Sequence, residues 1–272
     1  MKCSKLIVTL GLGLVAGVLF GDVTNDYSAA LRLFNDKKYA ESEAAFAKLQ
    51  TDYPAADVNL LAQAQMSIGN LYRVQKKPTL ARTAYQKAIK DYPNAPADIM
   101  VKIECYAAGQ LLPGRGAEGI AQALAEYRVI STNYPACSVT YKASVQHKIG
   151  TMLLLQKKYA EAQVVFEDAI KAYPAIQPEF LVAIMASDYT ALKGQGKIAE
   201  ANKMLADRII LNATKCKQTG GVLLKDFDRI LPTKSSAVDY MSMLVEMLKA
   251  VPATEANAEF LGKVKSEYEK VR

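Results

Sequence analysis

His147 is the only histidine in the chain. A zinc site built on two helical imidazoles is therefore out of reach, and no serine or carboxylate near it stands in a triad order. A single imidazole on an otherwise apolar helix reads as a packing or surface residue, or as a ligand contact if it is functional. The cysteines are Cys3, Cys105, Cys137 and Cys216, with no C-x-x-C pair among them, so a thiolate metal site is unsupported. A Cys105–Cys137 disulfide would close a separation of 32 residues. It would stabilise by about 3–4 kcal/mol in the loop-entropy account and leave Cys216 over. Buried free thiols are the alternative. Residues Gly114 to Gly119 spell G-x-G-x-x-G. A dinucleotide site needs a strand before that motif and a helix after it. Here a helical pattern precedes, and the segment reads as a turn. Aspartates and glutamates are scattered at helical spacing, as with Glu161 beside its lysine neighbours. They suit solvated faces and i,i+4 pairs, not a paired-carboxylate centre. No catalytic residue, metal or cofactor is expected.

What these residues are mounted on follows from composition and pattern. Of 272 residues, 51% are hydrophobic, enough for a large core and against disorder. The formal charge is +7, spread from Lys37 and Lys38 to Lys270 and Arg272. Without an arginine-rich block or aromatic–basic alternation, nucleic acid is not an expected partner. A dispersed positive charge fits either an ordinary solvated surface or attraction to an acidic peptide, an anionic lipid surface or a cell-wall polymer.

Lys2 and Lys5 precede an uncharged apolar run, Leu6 to Phe20. As a helix it would reach only about 22 Å, against a bilayer core of ~30 Å. Residues 1–21 are therefore read as a cleaved secretory signal, with an uncleaved anchor as the alternative. Gly17 and Gly21 are small enough to precede a cut, though neither completes an A-x-A pattern. Cys3 lies before the apolar run and so cannot be a lipoprotein anchor.

The strongest pattern lies in the middle of the chain. Ile68–Pro93 and Ile149–Pro174 align without a gap. Gly69 is followed by Ala81, Tyr85, Ala88 and Pro93. Gly150 is followed at the same offsets by Ala162, Phe166, Ala169 and Pro174. Leu33–Pro54 is a third copy, with Ser42, Phe46 and Leu49. Ile120–Pro135 is a fourth, with Ala123, Tyr127 and Ile130. The closing prolines are separated by 39, 42 and 39 residues. Small residues at these spacings let two antiparallel helices approach closely, and the large ring is expected to wedge into the next layer. The proline ends the second helix, because it lacks an N–H and disfavours helix in the residue before it. A fifth, degenerate pair occupies Pro178–Ala213, with Ala201 and Leu205 in register and the glycine lost.

These residues resemble the tetratricopeptide repeat: G-x-x-Y at Gly69 and Tyr72, then A-x-x-x-F, then the closing proline. The usual first-helix tryptophan is replaced by Gln65 and Gln146. The long, Tyr-Pro-ended style is similar to periplasmic repeat proteins of bacterial envelopes, of the YbgF and BamD type. The extra residues follow the closing Tyr-Pro and lengthen the next helix. The resemblance implies an all-α, right-handed alpha-alpha superhelix, a solenoid of about five helix pairs over residues 22–213. A C-terminal helical capping region is expected over 214–272.

In this family the first helix of each pair lines the concave face. Residues three and four apart share a side of it. The resemblance therefore places Gln63, Met66, Asn70 and Arg73 in a partner-binding groove, with Ile103, Tyr106 and Gln110 from the next pair. Ser144, His147, Thr151 and Leu154 continue it. Arg73 and Tyr106 stand out, since arginine and tyrosine are enriched in interface hot spots. The expected function is an exported, non-catalytic protein-interaction scaffold of the cell envelope, binding one or more proteins or peptides. Binding of an anionic envelope polymer or membrane surface through a basic face is the alternative, and self-association is left open. Ala81→Trp should lower the melting temperature by overpacking the helix pair, by about 1–3 kcal/mol. An unchanged melting temperature would refute the repeat register.

Overall fold

The structure is a computed structural model that describes residues 22–204, apart from 175, 177 and 202. The expected signal and capping regions, Leu205 and Cys216 lie outside the described residues. The chain divides between Ile99 and Met100 into two compact units. The first holds helices α1 (Val23–Asn35), α2 (Tyr39–Asp52), α3 (Val58–Val74) and α4 (Pro78–Asp91). Helix α5 (Ala97–Gly109) begins at the division. The second unit continues with α6 (Gly116–Asn133), α7 (Val139–Leu155), α8 (Tyr159–Ala172) and α9 (Pro178–Gly194). A further helical stretch starts at residue 198. The described residues are all-α and contain no strand.

Within each unit, consecutive helices pack as pairs, and each pair packs on the next. The spacing inside a pair follows from one contact. A methyl group added at Gly69 would lie 2.3 Å from the Tyr85 ring, and one at Gly150 would lie 2.3 Å from the Phe166 ring. The ring thus occupies the place of the missing side chain. The repeat spacing predicts that this ring wedges into the next layer. It instead seats against the glycine of its own pair, because the absent Cβ opens a space there wide enough for an aromatic face. Ala81 and Ala162 are fully buried, as are Tyr85 and Phe166. In the first pair Ala30 takes the glycine's place and Phe46 the ring's, and both are fully buried. Ser42 stands where Ala81 stands, and its hydroxyl donates to the Ala30 carbonyl at 2.8 Å.

The turn between first and second helix recurs closely. Lys37, Lys76, Lys157 and Gly196 adopt φ values of 62°, 59°, 59° and 78°. In each case the next residue donates backwards across the turn, as Lys38 does to Leu33 and Lys77 to Tyr72, both at 2.9 Å. Lys158 does the same to Leu153 at 2.9 Å and Lys197 to Leu192 at 3.0 Å. This is the Schellman closure, in which a left-handed residue satisfies the last helical carbonyls. The third pair departs from it. Gly114 and Gly116 take φ values of 75° and 52°. A side chain at Gly119 would collide with the Leu111 carbonyl at 2.2 Å. The three glycines of G-x-G-x-x-G thus serve a tight turn between α5 and α6.

Each pair closes at a tyrosine. Tyr53, Tyr92, Tyr134 and Tyr173 terminate α2, α4, α6 and α8 with φ between -121° and -127°. The residues inserted after Tyr-Pro lengthen the following helix: α3 and α7 each have 17 residues, against 14 for α4 and α8. Asp57 starts α3 by accepting from the Asn59 and Leu60 amides at 2.7 and 3.4 Å.

The left-handed lysines give a test of this frame. Lys76→Gly and Lys157→Gly should each stabilise by about 0.5–1 kcal/mol, relief of left-handed strain outweighing glycine's greater unfolded entropy. Chemical denaturation would measure it. A loss of stability would mean that the lysine side chain holds the turn.

Candidate functional site

In the first unit, α3 carries Gln63, Asn70 and Arg73 on one side. Gln63 donates to Asn59 Oδ1 at 2.9 Å, and Asn70 Oδ1 accepts the Tyr85 hydroxyl at 2.8 Å. Arg73 is exposed in the last turn. Met66 lies between them in sequence but is only 4% exposed, in the core. In the second unit, Tyr106 stands on α5 and Gln110 just past its end, with Gln110 donating to the Tyr106 carbonyl at 3.2 Å. Ile103 is fully buried. On α7, Ser144 and Leu154 are half-buried, and Thr151 donates to the His147 carbonyl at 2.7 Å.

The placement of Met66 and His147 has one cause. Tyr27, Met66, Cys105 and His147 occupy the same repeat position, 39, 39 and 42 residues apart. In the first pair Tyr27 packs on Phe46 at 5.5 Å between centroids. His147 packs on Phe166 in the same way at 5.9 Å. It also meets Phe180 of α9 edge-on at 5.7 Å, and its Nε2 lies 2.9 Å from the Ser187 hydroxyl. Burial, with a smaller contribution from the Lys148 charge, pushes its pKa down to about 4. The imidazole is neutral at pH 7 and joins α7, α8 and α9.

A second recurring device ties the closing tyrosines to the first helices. Tyr53 donates to Asp26 at 2.6 Å, and Tyr134 donates to Glu104. Asp26, Gln65, Glu104 and Gln146 share the position at which the resemblance expects tryptophan. The hydrogen bond to Asp26 is the main reason that the Tyr53 phenol is pushed up to about 12. Burial raises the Glu104 carboxyl, opposed by the Tyr134 hydrogen bond. Gln65 is buried and spans two helices, accepting from Gln50 at 2.9 Å and donating to the Ala84 carbonyl at 3.2 Å. Polar links thus replace the flat indole.

On the other side of α3 lies a groove of about 590 Å³, walled by α2 and α4. Ala47, Ile68, Leu80 and Ala84 supply its apolar surface, while Gln50, Gln65, Tyr72 and Tyr92 supply polar groups. Tyr72 donates to Glu43, and Tyr92 to Gln50 at 3.2 Å. Helical spacing on the first helices does not point to this groove. Its signal in the sequence is the run of small residues facing each other on two second helices, where larger side chains would fill the gap.

Cys105 and Cys137 are buried thiols without a disulfide between them. Burial pushes the Cys105 thiol up to about 12, so it is a poor nucleophile and a poor metal ligand. Among the described residues no group of histidine, cysteine, aspartate or glutamate could hold a metal ion.

His147 yields a pH prediction. Its folded pKa lies below the unfolded value, so at low pH the unfolded chain binds a proton that the folded chain refuses. The associated stability is fully present above about pH 6.5 and is lost as pH falls toward about 4. His147→Met installs the side chain that Met66 supplies at the equivalent position. Its denaturation midpoint should fall less over that window than the parent's. Parallel pH profiles would show that His147 is not buried neutral.

Comparison with known proteins agrees with this geometry. Residues 63–95 and 144–175 match the family model described as tetratricopeptide repeat. No curated protein matches the sequence significantly. Among solved structures, the chain is similar to a tetratricopeptide repeat protein from Parabacteroides merdae, with a TM-score of 0.53 at 14% identity, covering 91% of this chain and 88% of the other. It is also similar to BtubC from P. vanneervenii, with a TM-score of 0.53 at 18% identity over 67% of this chain and 76% of that one. With its glycine–ring pairs, closing Tyr-Pro turns and two matched segments, the chain carries tetratricopeptide repeats.

Proposed function

We propose that the chain is an exported, non-catalytic adaptor of the bacterial cell envelope, holding a protein or peptide partner along the first-helix faces of its repeats. Tetratricopeptide repeats are a protein–protein interaction scaffold, since stacked helix pairs leave extended surfaces that pack against nothing in the chain itself. The observation that carries the reading is the chemistry of those faces. Each unit has a mostly apolar interior, and outside it the first helices bear amides and hydroxyls, with Arg73 on the first unit and Tyr106 on the second. Such a mixture suits the main chain and side chains of an extended or helical peptide. Export is supported by Lys2, Lys5 and the uncharged run Leu6–Phe20.

Arg73→Ala combined with Tyr106→Ala is the test. The double variant should lose capture of a partner that the parent retains from an envelope extract, with its circular dichroism unchanged. Undiminished capture would overturn the role given to these two residues. Loss of helicity would assign them to the fold instead. Capture through this face should also persist as salt is raised, because a contact with an apolar anchor is little screened.

A further inference from the structure

The turns between first and second helices stand on one rim of each unit, since within a unit the pairs stack in the same sense. In the first unit that rim carries Lys37, Lys38, Lys76 and Lys77, all exposed, against the acids Asp36 and Glu41. In the second it carries Lys157, Lys158 and Lys197, with Glu161 and Glu200 at 3.7 and 3.9 Å from the latter two. Two observations make this more than a solvated edge. First, three of these lysines occupy the left-handed position, where Gly196 shows that glycine serves the same turn. A charged side chain is kept there three times against the local conformational preference. Second, apolar side chains stand out of the protein beside the lysines. Val74 and Leu155 end α3 and α7 at equivalent positions and are 40% and 52% exposed. Leu80 and Ile198, just beyond the turns, are 47% and 53% exposed.

The opposite rim of the first unit is mixed in charge. Asp22 and Asp57 cap α1 and α3 there, and Asp52 and Asp91, which end α2 and α4, pair with Lys48 and Lys87. The lysine rim is the more basic of the two.

We propose that the lysine rim of each unit is a docking surface for an anionic phospholipid bilayer. Lysines near such a surface are drawn to its negative potential, and neighbouring apolar side chains enter the headgroup boundary. A soluble polyanion would use the lysines but would gain nothing from Val74 and Leu155, which is why the bilayer is the better fit. No helix among the described residues is long and apolar enough to cross a membrane, so this rim would lie on the surface.

The test uses the full chain and cosedimentation with phosphatidylcholine vesicles, with and without phosphatidylglycerol. The readout is the difference between the two lipids, which removes any uncharged attraction shared by both. The parent should bind the anionic vesicles more tightly, and salt should weaken the difference. The triple variant Lys37→Gly, Lys76→Gly, Lys157→Gly should melt no lower than the parent, yet its preference for anionic vesicles should fall by about tenfold or more. Lys38→Gln with Lys77→Gln and Lys158→Gln should weaken it similarly without touching the left-handed turns. Val74→Ser with Leu155→Ser should weaken vesicle binding while leaving binding of inorganic polyphosphate unchanged. Equal binding to both lipids, or unchanged binding by both lysine variants, would overturn the proposal. Polyphosphate binding alongside vesicle binding insensitive to Val74 and Leu155 would also overturn it, in favour of a soluble polyanion.

Discussion

Everything in the two units depends on how near a second helix comes to its first. Gly69 and Gly150 are set against aromatic rings so closely that a single added carbon would overlap them. Interiors are packed too densely to absorb such an overlap, so the backbone would have to move. The ring fills the gap between two helices and leaves both free to bury their other apolar sides against the neighbouring pair. Where the first pair uses Ala30 for the glycine, it uses Phe46, without a hydroxyl to place, for the ring.

The repeats then vary around this contact in compensating ways. Tyr85 brings a hydroxyl, and Asn70 accepts it. Phe166 has none, and the equivalent Thr151 turns back to its own helix instead. The position facing the ring accepts tyrosine, methionine, cysteine or histidine, because it asks only for a side chain that tolerates enclosure. The lone histidine and the Cys105 thiol both sit where burial disfavours their charged forms.

Polar groups complete the frame without a large aromatic at the position where the repeat pattern expects tryptophan. A buried amide such as Gln65 must find partners for both its ends, and it does so on α2 and α4 at once. Tyr53 and Tyr134 reach the same position from the far end of their own pairs, at Asp26 and Glu104. One consequence is the groove between α2 and α4, walled by small residues and amides where an indole would have stood.

The amino-acid sequence by itself determined the helix pairs, their ends and their register. Glycine, alanine, ring and proline at constant offsets leave one arrangement in which all four are satisfied, and the same spacing disqualified the glycine-rich turn as a phosphate cradle. It also determined that His147 has no neighbours in sequence with which to form a catalytic cluster. Tertiary structure alone decided which side of each first helix is covered. Helical spacing put Met66 and His147 on the same stripe as Gln63, Asn70 and Arg73, since residues three and four apart differ by only part of a turn. Whether a side chain on such a stripe meets a ring or open water depends on the neighbouring helix's position, which local sequence does not contain. The same holds for the groove on the far side of α3 and for the left-handed lysines, whose backbone angles come from closing a turn between two helices already placed by their cores.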